Sequence, residues 1–265
     1  MKCIAIRCHE SKAAFAHNVL VKDRDEDNYV ASPIATDVGF MGHVKVILKT
    51  DDEPALLALA TAALLNIRID ARKDDSPVRS VSTEHPVEHE SQPTGGTECG
   101  IRAARAMFRT TKRSFEERVG QKIPPTHALP AWPVERAALL LNAKQVGEDG
   151  TTAWARLRGR DFGQELLGFC EAVMYKQPPK GPQHDVDGNM GARMFPRTML
   201  GYSHLYNTYL VATEEGDVIK IWSVLRRPGA DRWNLENAKG IVATPRVLRA
   251  SSAPAALKLS KPMAK

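Results

Sequence analysis

Short apolar runs separated by polar turns fill the first fifty residues. KCIAIRC and AAFAHNVLV flank the turn HESK, a pattern that predicts an opening hairpin. DEDNYVASPIATDVGFMG predicts a short helix with acids in its first turn, although Pro33 and Gly39 lie within it. HVKVILKT, at 43–50, is nearly all apolar, as a strand buried on both faces is. It runs into three acids, Asp51, Asp52 and Glu53, and then into a helical stripe of Leu56, Leu57, Leu59, Ala60, Ala63 and Leu64. Pro54 stands near the first helical turn, where proline is tolerated.

Residues 70–96 are polar and broken by Pro77, Pro86 and Pro93, which predicts a long loop with room for one short strand. Helical periodicity returns over 97–119. Ile101, Ala104, Phe108 and Phe115 share one face there, and Arg102, Arg105, Arg109, Lys112 and Arg113 crowd the rest. Residues 132–145 predict a further amphipathic helix. Beyond Gly147 the texture changes. After the Gly- and Arg-rich GEDGTTAWARLRGRDFG come short β-like runs, LGFCEAVMYK, RTMLGYSH, NTYLVAT and DVIKIWSVL, set apart by turn signals. ASSAPAALKLSKPMAK reads as a disordered tail. The simplest architecture is an α/β layer followed by a small all-β module.

Charge sharpens that division. Residues 1–150 carry 20 Lys/Arg against 21 Asp/Glu, whereas residues 151–265 carry 17 against 10. The basic second part fits a polyanion partner, and equally a merely soluble surface. Four cysteines, Cys3, Cys8, Cys99 and Cys170, form no CxxC pair, which argues against a disulfide framework or a zinc ribbon and fits a reducing compartment. With no run of about 18 apolar residues, no membrane span or membrane partner is expected. The N-terminus lacks the pattern of a signal peptide.

Two carboxylates are candidates for chemistry. Asp51 ends the apolar strand, where open α/β sheets place ligands. Glu98 opens the Arg-rich helix after a Gly-Gly turn. Together they could share Mg²⁺, which takes oxygen ligands. The competing readings are a helix cap for Asp51 and a dipole-favoured first-turn acid for Glu98. His85, Glu88 and His89 spell an inverted zinc-protease motif, but two prolines break the helix it needs. Asp185, Asp187 and Asn189 faintly resemble a calcium loop and read better as a hairpin turn. Arg156, Arg158 and Arg160 precede the β-rich part, and Arg226, Arg227, Arg232, Arg246 and Arg249 follow or flank it. All are candidates for phosphate contacts. Trp222 and Trp233 are read as core or barrel-edge residues, with base stacking as the alternative.

VILKTDDEPALLAL, PVEHESQPTGGTE and AWPVERAALLLNAKQVGEDGTTAWARLRGR resemble the integrase region of copia-type retrotransposon polyproteins. PPKGPQHDVDGNMGARMFPRTMLGYSHLYNTYLVATEEGDV, with RRPGADRW, resembles the small barrel that follows the integrase core there. The resemblance covers residues 3–250. It implies an RNase H-like mixed sheet with flanking helices over 1–146, a basic linker over 147–160, an SH3-like β-barrel over 161–230 and a basic extension over 231–250, before the tail at 251–265. It implies DNA integration in the nucleus, with DNA and other integrase chains as partners. It also implies a phosphodiester transfer run by three acids on two Mg²⁺ or Mn²⁺ ions. Asp51 and Glu98 match the second Asp and the Glu. The first Asp has no match: KCIAIRC and AAFAHNVLV resemble the second and third strands, so the chain is expected to begin after that Asp and to be catalytically impaired. Thr94 stands where the family pattern has Asn. The alternative is a DNA-binding module without chemistry.

Overall fold

The computed structural model describes residues 2–19, 29–51, 53–72, 77–84, 95–176 and 192–249. It is a mixed α/β structure in two compact units, Met1–Phe108 with Ala137–Gly163, and Arg109–Arg136 with Gln164–Lys265.

The first unit opens on the expected hairpin. β1 (Lys2–Arg7) pairs antiparallel with β2 (Ala14–Val19), Ala5 opposite Ala16. α1 (Ala31–Met41) follows and stops at Gly42, whose φ of 76° sits in the left-handed region that glycine reaches without a Cβ penalty. β3 (Lys45–Lys49), α2 (Pro54–Asp70) and β4 (Ser80–Glu84) make a βαβ unit, with β3 and β4 parallel and Ile47 opposite Ser82. The expected loop after α2 thus does hold one short strand. Ile4, Val19, Val30, Ile34, Leu59 and Ala63 form one core cluster; Ala35, Val38, Ile67 and Val78 form another, with Val46, Leu48 and Val81 packed on it.

One expectation fails here. The apolar strand β3 is not buried on both faces: its exposure alternates and Ile47 is 48% exposed. Among the described residues β3 pairs only with β4, so one face rests on helices and the other is left open.

α3 (Gly95–Val119) and α4 (Trp132–Lys144) are the longer helices of the middle of the chain. On α3, Phe115 is buried and Ile101, Ala104 and Phe108 are half-buried, the face that the periodicity picks out. The sequence pattern predicts an amphipathic α4, yet Trp132, Val134, Ala137, Ala138, Leu139 and Ala143 are all buried, along with Arg136 and Asn142. Its two interior polar side chains have dedicated partners. Asn142 clamps Ala14 by accepting its N–H at 2.8 Å and donating to its carbonyl at 2.7 Å.

The stretch 147–160 contains α5 (Ala153–Arg158), N-capped by Thr152, whose hydroxyl accepts the Ala155 N–H at 3.1 Å. Trp154 is buried there against Phe40 and Phe162.

In the second unit, β5 (Ala172–Lys176), β6 (Met194–Ser203), β7 (Thr208–Ala212), β8 (Val218–Ile221) and β9 (Val224–Arg226) form one antiparallel sheet in the order β8-β7-β6-β5-β9. The register slips by a bulge between Met199 and Gly201. Val173, Met199, Tyr209, Val211 and Ile221 pack on one side, and Trp132, Phe169, Leu200, Leu210 and Ile241 form a second cluster. A short helix, α6 (Leu235–Lys239), is capped by the Asn234 side chain.

Candidate nucleic-acid interface

Asp51 follows β3 and is exposed. It does not cap α2. The N-cap position is Glu53, which makes no side-chain capping bond, and Pro54 fills the first turn. Glu98 stands in the first turn of α3, exposed, where a carboxylate complements the helix dipole. Among the described residues no group of three or more His, Cys, Asp and Glu side chains gathers as a metal cage. Two exposed carboxylates are a thin donor set for the pair of divalent ions that phosphodiester transfer requires. His85, Glu88, His89 and Thr94 lie outside the described residues, as do Asp185, Asp187 and Asn189.

From Glu98 the helix carries Arg102, Arg105 and Arg109 at intervals of four, three and four residues, which places all four on one face. The successive arginines are about 4.5 and 6 Å apart along the axis. All three are exposed, and none pairs with an acid among the described residues. One turn later the pattern changes. Lys112 Nζ donates to Glu116 at 2.5 Å, and Arg113 Nε donates to Glu117 at 2.7 Å.

The other cations proposed from sequence sit in different surroundings. Arg156 grips Asp149 with two nitrogens, at 2.9 and 2.5 Å, and donates to the Ser11 carbonyl at 3.0 Å. The Arg156 guanidinium, with help from Thr151, holds the Asp149 carboxyl well below the usual carboxylate range. Arg158 lies over the Phe40 ring at 3.7 Å. Arg160 is exposed. Arg226 Nε is 3.1 Å from Glu171 and 3.2 Å from Glu165, and Arg227 is 3.7 Å from Asp231.

Glu171 is 2% exposed. It accepts the Gly168 N–H at 2.6 Å and draws in Arg226 and, at 3.7 Å, Arg232. Its Oε1 has neighbouring cations but no aligned hydrogen bond, so that half of the contact is Coulombic. Arg136, buried on α4, donates to the Leu167 carbonyl; burial pushes its guanidinium down to about 10, and Glu171 works against that shift, so it stays a cation at neutral pH. Gly168 is needed for closeness: a Cβ there would run into the Trp233 ring. Trp233 is half-buried under Arg118, whose guanidinium lies 4.2 Å from its ring centroid, whereas Trp222 is 73% exposed rather than part of a core.

Sequence reasoning passed over two cations in the first unit. A cleft of about 610 Å³ is lined by Arg7, Lys12, Asn142, Glu148, Asp149 and Arg156 among others. Arg7 lies against α3, close enough that a Cβ on Gly100 would meet its guanidinium at 2.6 Å. Neither Arg7 nor Lys12 has an acid partner among the described residues. Both are isolated charges in the sequence, and only the fold brings them to one cleft.

No helix among the described residues is long and apolar enough to cross a membrane. No family model and no curated protein matches the chain. Among solved structures, it is similar to a chain of the cryo-electron microscopy structure of a simian T-cell lymphotropic virus intasome in complex with PP2A regulatory subunit B56 gamma. The identity is 12%, the match covers 82% of this chain and 68% of that chain, and the TM-score is 0.34, too low to carry a functional argument.

Proposed function

We propose that the chain is an integrase-like protein that binds DNA through the outer face of α3 and is impaired in phosphodiester transfer. The observation that carries the reading is the row of exposed arginines, Arg102, Arg105 and Arg109, free of acid partners among the described residues. A helix face of this kind meets successive phosphates without reading bases, which gives sequence-tolerant and salt-dependent affinity. The sequence resemblance to copia-type integrases supplies the rest: an RNase H-like core, an SH3-like barrel, a nuclear setting, and partnership with DNA and other integrase chains.

In this reading Asp51 and Glu98 are the acids that would hold Mg²⁺ or Mn²⁺. Two carboxylates supply little of the charge that a pair of divalent ions needs, and that is what impairs transfer in this reading. Lys112, Arg113, Arg156, Arg158, Arg160, Arg226 and Arg227 are secondary. Most of them are already engaged by acids or a ring, and a phosphate must compete with those contacts.

A second reading, a binding module with no chemistry, draws on the absence of a three-acid group among the described residues. Duplex titration and a metal-dependent end-nicking assay separate the two. The proposal expects affinity that falls steeply with salt, and weak nicking that Asp51→Asn abolishes. Binding with no nicking in Mg²⁺ or Mn²⁺ favours the module. Affinity indifferent to salt overturns both.

A further inference from the structure

The turn between β1 and β2 holds a cluster that DNA binding does not use. Cys8 Sγ lies 3.2 Å from His43 Nε2, and the other ring nitrogen, Nδ1, lies 3.4 Å from Glu10 Oε2. The Ser11 backbone N–H points at the same sulfur at 3.4 Å. A nucleophile within reach of a base, with the base oriented by a third group, is the arrangement that activates side-chain nucleophiles. The turn itself is pinned, because the Cys8 N–H donates to the Ala13 carbonyl at 2.8 Å. Glu10 also lines the cleft described above, together with Arg7 and Lys12. Glu10 is the charged group that faces the cluster, at the His43 ring.

We propose that Cys8, His43 and Glu10 form an activated-thiol site, and that its co-reactant is a small disulfide of the glutathione type. Cys8 passes its proton to His43 Nε2, and its sulfur attacks one sulfur of the disulfide. The disulfide bond breaks, the departing thiolate takes the proton from the imidazolium, and Cys8 is left as a mixed disulfide. The added disulfide is the oxidant, and its second half leaves as a free thiol. Glu10 is a positioning residue that orients the ring.

The other thiols supply the internal contrast. Cys170 is buried, and that burial pushes its thiol up, away from the reactive thiolate. Cys99 is exposed, with no imidazole beside it among the described residues, and serves as the reference.

The test uses the full chain, oxidised glutathione and peptide mapping by mass spectrometry. Cys8 is expected to be modified about tenfold faster than Cys99, and His43→Ala to lower that rate about tenfold, with part of the loss restored by added imidazole. Should His43→Ala fail to fold, Glu10→Ala decides by the same criterion, because that side chain is 83% exposed. Cys8 reacting no faster than Cys99, or at the same rate without its histidine pair, overturns the site.

Discussion

On the outer face of α3, Arg102, Arg105 and Arg109 stand in solvent with no acid paired to them among the described residues. Around β5, Arg226 and Arg232 instead close on the buried carboxylate of Glu171, at 3.1 and 3.7 Å. Residue type and local density are alike in the two regions. The first is a row of charge open to an outside anion. The second is counter-charge for an acid that cannot reach water. A guanidinium committed to a buried carboxylate must abandon it before it can touch a phosphate, and the acid left behind is then uncompensated. Counting arginines therefore overstates a nucleic-acid surface, and pairing sorts the count.

Breaking the second region should cost stability and leave DNA binding alone. Arg226→Ala removes the nearer cation from Glu171 and is expected to destabilise the fold by about 3 kcal/mol, read as a shift in urea midpoint. A midpoint equal to wild type would mean that Glu171 is satisfied without it. Gly168→Ala forces a methyl group into the Trp233 ring in the same neighbourhood and should cost about 2 kcal/mol. Retained stability there would show that the ring has room to move.

Acid should separate the regions again. Burial pushes His127 down from its ordinary value of about 6.5, partly offset by a hydrogen bond with the Lys239 backbone. Below about 6.5 the unfolded chain binds a proton that the folded chain refuses, so stability is full above that pH and declines as pH falls through and below it. Urea midpoints for wild type and His127→Asn at pH 7.5 and 5.5 check this: the wild type should lose more. Arginine side chains keep their charge across that range, so the contribution of the α3 face to binding should stay level. The smallest effect belongs to Arg113→Gln. It breaks an exposed pair with Glu117 at i, i+4 and should change stability by no more than about 0.5 kcal/mol.

Periodicity carried the helices well. The half-buried face of α3 and the positions of β1, β2 and α2 follow from apolar spacing, since each pattern is local, whereas α1 begins at Ala31 without the acids expected in its first turn. What the pattern could not show was how many neighbours a strand would have. β3 reads as a central strand because Val46, Ile47 and Leu48 are consecutive and apolar, yet it has one pairing partner among the described residues, and Ile47 faces out. α4 reads as amphipathic because Arg136 and Asn142 interrupt it, yet both are buried with partners remote in sequence, Leu167 and Ala14. The same limit governs the site. Glu98 and the arginines behind it are legible because a helix fixes their common face. Arg7 and Lys12 are not, because their cleft is assembled from β1, α3, α4 and the turn at Asp149.

The measurement that bears most directly on the account is the slope of log affinity against log salt for duplex DNA. It should be taken on the wild type and on the variant carrying Arg102→Gln, Arg105→Gln and Arg109→Gln. Removing three charges that face phosphates should flatten the slope by about 2 to 3 units and weaken binding at low salt, with folding unchanged by circular dichroism. An identical slope and affinity in the two proteins would contradict the assignment of the α3 face as the DNA-binding surface.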